Sequence, residues 1–229
     1  MCIRDSPYPE GDNGGDILGR NQGVFDQRID INAYDIGHCM TTRCGGGLGG
    51  VAFGSSACGP RKASGMTCNF GGFNLSTFAH EVGHQNSVGH SWDNCPGSDG
   101  QRASNASFEP GSGTTIMSYS GACGSENIGS DDDYYSNGSL QQFRNFQYNV
   151  FRGCGTLAQP GNHNPEIQWP YTDGFYIPVG TPFELEATAT DEDGDALTYS
   201  WEQHNLRGCL LYTSPSPRDA TLSRMPSSA

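Results

Sequence analysis

Three histidines and one glutamate carry the chemistry that this sequence encodes most clearly. His80 and His84 are four residues apart, so on a helix both imidazoles lie on one face and can bind the same ion. Glu81 would reach a water beside the metal rather than the metal itself. The chain must turn back after His84 to bring in His90, six residues later. Three imidazoles with an open fourth position predict a catalytic zinc site.

Other interpretations of this stretch have different requirements. A bare HExxH occurs by chance in many proteins and is by itself a weak sign of zinc. The third histidine strengthens the prediction, because half of the six His residues in the chain fall in the motif. The alternative without metal is a solvated surface helix. A structural zinc site would need a fourth protein ligand, and the sequence offers no obvious candidate.

The stretch from His80 to His90, HEVGHQNSVGH, resembles the metzincin zinc peptidases, whose extended pattern is HExxHxxGxxH. Ser87 stands where that family has a glycine, a residue that allows a left-handed backbone at the turn. Asn86 tolerates this conformation better than most residues, and Gly89 is close by. We therefore expect a modified form of the turn.

A second stretch, GTTIMSY, ends at Tyr119. By itself Met117 is compatible with plain core packing. IMSY is similar to the Met-turn of metzincins, which implies that Met117 packs beneath the zinc histidines without binding the metal. Tyr119 matches a tyrosine that lies near the metal in some branches of the family. It would either stabilise the oxyanion or only pack.

The resemblance implies a zinc-dependent endopeptidase that hydrolyses peptide bonds of extracellular proteins. Zn²⁺ would lower the pKa of its bound water and polarise the scissile carbonyl, and Glu81 would move the water proton to the leaving amine. The alternative from another class is a non-catalytic secreted adhesion or carbohydrate-binding protein with a vestigial zinc site. Ser87 and an incomplete second domain support this alternative, whereas Glu81 and the Met-turn oppose it.

The net charge excludes some classes of binding partner, and the cysteine content indicates the cellular compartment. The 229-residue chain has a formal net charge of −13, which argues against nucleic acid or an anionic membrane as partner. It contains no apolar run of transmembrane length. Nine cysteines without a CxxC pair favour disulfides, an oxidising compartment and a secreted protein. The expected partner is a protein or peptide substrate.

Both ends of the sequence resemble translated sequencing-adapter read-through, so residues 1–6 and 208–229 are interpreted as non-native. Residues 7–157 are predicted to form a partial zinc metallopeptidase catalytic domain, and residues 158–164 a linker. Residues 165–207 resemble the start of a PKD-like or cadherin-like Ig-fold repeat. The gene would then be truncated at both ends, and the opening strands of the catalytic domain would be missing.

The expected fold class is α/β (α+β). It combines a metzincin-type domain, with a twisted mixed sheet, an active-site helix and a C-terminal helix, and the beginning of an all-β Ig-like sandwich. Residues 16–31 are compatible with a short helix, and Tyr34–His38 with a buried strand. His38 is a lone histidine, for which a hydrogen-bonded structural role is favoured over metal binding.

Further elements are placed by their local patterns. Residues 48–66 resemble the sheet-edge strand on which reprolysin-type metzincins pair an extended substrate antiparallel; an ordinary Gly-rich loop is the alternative. Ser76 or Thr77 is the expected N-cap of the active-site helix. A capping box beginning at Ser139 predicts the C-terminal helix, which Gly153 ends.

The last part of the chain carries alternating apolar residues. Residues 176–180, 183–188 and 197–201 are predicted strands. The acidic turn from Asp191 to Asp195 would either bind Ca²⁺ through its carboxylates or form a simple β-turn. By resemblance to reprolysins, the expected disulfides are Cys58–Cys154 and Cys95–Cys123.

Overall fold

The computed structural model describes residues 7–45, 48–68, 72, 74–150, 155, 161–170, 178, 181–202 and 204–206. The chain divides into two compact units near residue 155. The helices and strands of the first unit are α1 (Gly14–Asp26), β1 (Cys39–Thr41), β2 (Gly50–Ala52), β3 (Gly65–Cys68), α2 (Leu75–Gln85) and α3 (Asn137–Asn145), which continues as a π-helix (Phe146–Val150). Its described residues also form three short 3₁₀ turns, Ile31–Ala33, Asp99–Gln101 and Gly124–Glu126.

A three-stranded mixed sheet forms the centre of the first unit. The fully buried strand β3 lies in the middle, parallel to β1 and antiparallel to β2. Helix α1 buries Leu18 against Met66 and Cys68 of β3. Helix α2 packs on β2 and β3, so the sheet supports the helix that carries the histidine pair. The predicted α/β class is confirmed.

Helix α1 confirms the helix predicted within residues 16–31. It begins two residues earlier, because Asn13 and Asp16 form a capping box. The predicted strand Tyr34–His38 is wrong. This segment is irregular and bonds to a turn instead of a strand, with Gly37 N–H donating to the Lys62 carbonyl over 2.7 Å. The strand starts only at Cys39, where the chain reaches β3.

Two predicted helix caps are also wrong. The N-cap of α2 is Asn74 rather than Ser76 or Thr77. Its backbone is extended, and its side chain accepts from Thr77 N–H at 3.0 Å. The N-cap of α3 is Ser136, not Ser139: the Ser136 hydroxyl accepts from Ser139 N–H at 3.3 Å. The expected stop at Gly153 lies outside the described residues.

His38 has the structural role that was predicted for it. Gln85 Nε2 donates to the carbonyls of Gly37 and Lys62, so its Oε1 must accept from His38 Nδ1, at 3.0 Å. The other ring nitrogen accepts from Thr67 Oγ1 at 2.8 Å. Burial lowers the pKa of His38. The neutral ring therefore connects β3 to the end of α2.

Two disulfides are described in full. Cys95–Cys123 confirms one expected pairing, and Cys44–Cys68, which was not predicted, joins the loop after β1 to the end of β3. Cys58 is also disulfide-bonded, but its expected partner Cys154 lies outside the described residues. Such disulfides are compatible with an extracellular protein. No helix in the described part of the chain is both long and apolar enough to cross a membrane.

The second unit contains two antiparallel strands, β4 (Glu166–Gln168) and β5 (Thr188–Thr190). The predicted strand at 183–188 reaches β5 only at its last residue, and 197–201 is irregular. Alternating residues there, such as Phe183 and Tyr199, are exposed, so the apolar face lacks the packing that would order it. The prediction at 176–180 falls almost entirely outside the described residues. No sandwich forms among the residues described in this unit.

The acidic turn of the second unit is a compact Asx-type turn. The Asp191 carboxylate accepts from the backbone N–H groups of Asp193 and Asp195 at 2.9 and 3.2 Å. One carboxylate oxygen from each of these three residues lies within 4.8 Å of the others. His163 also bonds to Asp193, so one of the three carboxylates is already engaged. Calcium binding here stays a prediction.

Candidate metal centre

Helix α2 ends one residue after His84, and the turn that follows carries the chain toward His90. Ser87 itself adopts the left-handed conformation, with φ of +69°, whereas Asn86 remains at −94°. Ser87 N–H donates to the His84 carbonyl at 2.9 Å, and Ser55 Oγ donates to Ser87 Oγ at 2.9 Å. The turn therefore forms with Ser87 in the left-handed conformation, at the position where the metzincin pattern has glycine.

The structure brings the three predicted metal ligands together. The ring centroids of His80 and His84 are 4.8 Å apart, and the ring of His90 lies 4.6 Å from that of His84 and 5.2 Å from that of His80. One nitrogen from each ring lies within 4.8 Å of the other two. A single ion between the rings can contact all three.

Main-chain carbonyls orient all three rings. The Nδ1–H groups of His80, His84 and His90 donate to the carbonyls of Ile116, Val88 and Gln101, at 2.7, 2.8 and 2.6 Å respectively. A carbonyl only accepts, so each Nδ1 must carry the proton when the ring is neutral. Each Nε2 is then left as a lone-pair donor for a metal. This is the outer-shell arrangement found around ligating histidines.

The positions of the histidine Nε2 atoms favour a bound cation, because without one these atoms repel each other. His84 Nε2 and His90 Nε2 are 3.1 Å apart, and in neutral rings both are acceptors that repel. Burial, with the neighbouring His84 and His90, lowers the pKa of His80 to about 3, and burial lowers that of His90 to about 4. The rings are therefore neutral at pH 7. A divalent ion of the zinc type would replace this repulsion with three bonds.

Glu81 is buried beside this cluster with an unsatisfied oxygen. Its residue is 5 % exposed, and Oε2 has no hydrogen-bond partner among the described residues. Burial raises the pKa of Glu81 to about 8. Strand β2 lies directly against it, since a Cβ placed on Gly50 would be 2.6 Å from Glu81 Cγ. The site thus contains a carboxyl group poised to exchange a proton near neutral pH.

The structure places Met117 beneath α2. Met117 is fully buried, and a Cβ placed on Gly83, between the two helical histidines, would lie 2.5 Å from its sulfur. The neighbouring Ile116 carbonyl holds His80, and the Met117 carbonyl accepts from Ser91 N–H at 3.0 Å. The turn around Met117 therefore contacts both the helix and the segment that follows His90.

Tyr119 lies at the same cluster. Its ring centroid is 4.6 Å from that of His90 and 5.9 Å from that of His80. Its hydroxyl donates to the side-chain oxygen of Gln101. Burial, with a smaller contribution from the charge of Glu81, raises the pKa of Tyr119 to about 12. The hydroxyl therefore stays protonated at physiological pH.

Three further residues hold the site and were missed by sequence reasoning. Gln101 supplies both the carbonyl for His90 and the acceptor for Tyr119. The side chain of Gln142, on α3, accepts from Gly89 N–H at 2.9 Å. Trp92 is fully buried against the Cys95–Cys123 disulfide. Only Trp92, an aromatic residue close behind His90, stands out in the sequence.

A comparison with protein-family models finds a match to part of the chain. The model described as metallo-peptidase family M12B, reprolysin-like, matches residues 2–91. This is less than half of the 229-residue chain, but it includes the three histidines and Glu81 and stops before Met117. It starts inside the segment 1–6, whose adapter origin stays a prediction. No curated protein matches the chain. The family match supports a zinc metallopeptidase in general.

Proposed function

We propose that this protein is a zinc-dependent endopeptidase that acts on extracellular proteins. The observation that carries the proposal is the convergence of three neutral imidazole nitrogens beside a buried carboxyl group whose Oε2 has no hydrogen-bond partner among the described residues. His80, His84 and His90 would hold the ion. When bound, zinc supplies a Lewis acid that polarises the scissile carbonyl and makes a water more acidic.

Glu81 performs the proton transfers in this proposal. It takes a proton from the attacking water and delivers it to the amine that leaves when the peptide bond breaks. Its burial supports this role, because a carboxyl group with a pKa near neutrality both accepts and releases protons readily at physiological pH. Gly50 leaves room for the carboxylate at this position.

The edge of the sheet supports an extended peptide as substrate. Strand β2 is one of the two edge strands in the described order β1–β3–β2, and a Cβ placed on Gly50 at its start would meet Glu81. An edge strand offers unpaired N–H and C=O groups to which a peptide can add as a further strand. A substrate bound in this way would pass next to Glu81. The disulfides support secretion.

Replacing Glu81 with alanine tests the assignment. Glu81→Ala should bind one zinc as the wild type does, because Glu81 is not a ligand. It should lower the rate of casein or gelatin digestion by about 100- to 10,000-fold, the usual contribution of a general acid–base residue. Zinc content is measured by elemental analysis, and digestion with and without a chelator.

The same measurements separate the rival function. Wild-type protein that binds zinc but digests neither substrate would favour the non-catalytic adhesion or carbohydrate-binding alternative. Loss of zinc from Glu81→Ala would instead show that Glu81 is a ligand, and the proposed mechanism would be wrong.

A further inference from the structure

Glu109 lies between two segments of the candidate metal centre. Its Oε1 accepts from the backbone N–H groups of Thr114 and Thr115, at 2.9 and 3.1 Å. Its Oε2 accepts from Thr115 Oγ1 at 2.6 Å and from the hydroxyl of Ser91. Four donors from two separate segments thus converge on one carboxylate. Hydrogen bonds to an ionised acceptor are stronger than neutral ones.

The two segments that meet at Glu109 are those that place His80 and His90. Ser91 directly follows His90, and Thr115 directly precedes Ile116, whose carbonyl orients His80. The backbone also joins Glu109 to the segment after His90, since Glu109 N–H donates to the Ser91 carbonyl at 2.8 Å. Moving either segment away from Glu109 would therefore change the distance between two of the three imidazoles.

The chain closes tightly around this carboxylate. Gly113 has φ of +67°, and a Cβ placed on it would lie 3.0 Å from both Cδ and Oε2 of Glu109 and 2.8 Å from Ser118 Cβ. Glycine is therefore required at position 113 for two reasons: the backbone is left-handed there, and a Cβ would have no room. The turn that leads to Met117 is shaped around the carboxylate.

We propose that Glu109 is a positioning residue that sets the spacing of the histidines and thereby the affinity for the metal. The inference rests on the proposed function, since it assumes that the three histidines bind zinc. It assigns to Glu109 no contact with substrate or metal. Residues that orient metal ligands from outside the first coordination sphere typically change affinity or activity by about 10- to 100-fold when they are replaced.

The test is zinc binding by the full chain, measured by competition with a chromophoric chelator. Glu109→Ala should weaken zinc binding by about 10- to 100-fold while far-UV circular dichroism stays that of the wild type. Glu109→Gln should restore most of the affinity, because its amide oxygen still accepts from Thr114 and Thr115. Cobalt(II) in place of zinc should show an altered visible spectrum in Glu109→Ala, since that spectrum reports coordination geometry.

Glu126→Ala is the matched control. The Glu126 carboxylate accepts from Asn94 Nδ2 at 2.8 Å in the same part of the unit, so its loss should leave zinc affinity close to that of the wild type. If Glu109→Ala does not fold, Ser91→Ala decides, because it removes a single hydroxyl and should weaken zinc binding in the same direction.

The outcomes distinguish this inference from the proposed function. Unchanged zinc affinity in folded Glu109→Ala, or in Ser91→Ala where that variant decides, would overturn the inference and leave the proposed function intact. Failure of the wild-type protein to bind zinc would overturn both.

Discussion

At the scale of single residues, the site depends on a few side chains that stay uncharged at neutral pH. His80 and His90 have pKa values lowered by burial, and Tyr119 has a raised one, so all three are neutral at pH 7. The neutral imidazoles offer nitrogens to a metal, and the tyrosine offers a hydroxyl proton. The site therefore does not need a change of pH to prepare these groups.

The hydroxyl of Tyr119 allows a first prediction at this scale. Because it already donates to Gln101, we expect it to hold the loop around Gln101 rather than the oxyanion. Tyr119→Phe should lower kcat by less than about tenfold, whereas loss of an oxyanion donor costs about 100- to 1,000-fold. Steady-state kinetics on a peptide substrate give the answer, with zinc content as the control. A loss of 100-fold or more at full zinc occupancy would assign the oxyanion role to Tyr119.

At the scale of elements, strand β2 and helix α2 pack so closely at Gly50 that only glycine leaves room for Glu81. A side chain there would meet Glu81 Cγ at 2.6 Å and Oε1 at 2.7 Å. Gly50→Ala should displace the carboxyl group and lower kcat/KM by about 100-fold, as small misplacements of catalytic groups do. Zinc affinity should change little, because the three atoms nearest to the added Cβ all belong to Glu81, which is not a proposed ligand. Enzyme kinetics and zinc titration measure the two effects separately.

The neighbouring glycine provides the control for this prediction. A Cβ placed on Gly49 would have Thr77 Cγ2 as its nearest atom, at 3.6 Å, which is an ordinary contact. Gly49→Ala should therefore keep activity near that of the wild type. Equal loss of activity in both variants would mean that β2 as a whole, rather than the contact with Glu81, is sensitive to substitution.

The buried ring of His38, which connects β3 to the end of α2, should make the free energy of unfolding depend on pH. Its pKa is lowered by burial in the folded protein, so below about pH 6.5, the ordinary value for histidine, the unfolded chain binds a proton that the folded protein does not. The free energy of unfolding should therefore fall as the pH drops from about 6.5 toward the folded pKa. His38→Gln, whose side-chain amide offers hydrogen-bond donors and an acceptor but does not titrate, should lose less stability over this range.

Urea unfolding of zinc-free protein at several pH values checks this prediction. The zinc histidines titrate in both proteins, so their contribution cancels when wild type and His38→Gln are compared. Identical pH dependence in the two proteins would show that His38 has the same pKa folded and unfolded.

Local spacing explains which elements could be predicted from the sequence. The histidines, Glu81 and Met117 lie where short motifs place them, because one helix and one turn determine their positions. The strand at Tyr34–His38 was misplaced since strand pairing depends on a partner distant in sequence, here β3. Gln101 and Glu109 could not be identified, because their roles come from irregular loop paths that bring residues 5 to 18 positions apart into contact.

At the scale of the whole molecule, metal binding should stabilise the fold that creates the site. A ligand that binds only the folded state at 100 times its Kd adds about 2.7 kcal/mol. For a chain of this size the Tm should then rise by about 5–10 °C on adding zinc and fall again with a chelator. Differential scanning calorimetry measures the shift. His90→Ala is the control and should show a much smaller one, and no shift in the wild type would contradict zinc binding.

The charge of the molecule fits its proposed setting. A net charge of −13 opposes association with nucleic acid and anionic lipid, and the family match independently points to a peptidase. The described strands of the two units differ in burial: the first unit has a fully buried central strand and a buried disulfide, whereas β4 and β5 of the second unit are largely exposed. The residues proposed to bind metal and to transfer protons all lie in the first unit.

The three acceptors that orient the imidazoles belong to the polypeptide backbone itself. A point mutation can delete a carboxylate or an amide side chain, but it cannot delete a peptide oxygen. The tautomer of each ligand therefore does not depend on which side chain stands at position 88, 101 or 116. The ligand set is vulnerable instead to insertions and deletions, which would shift these oxygens out of register even where every histidine is retained.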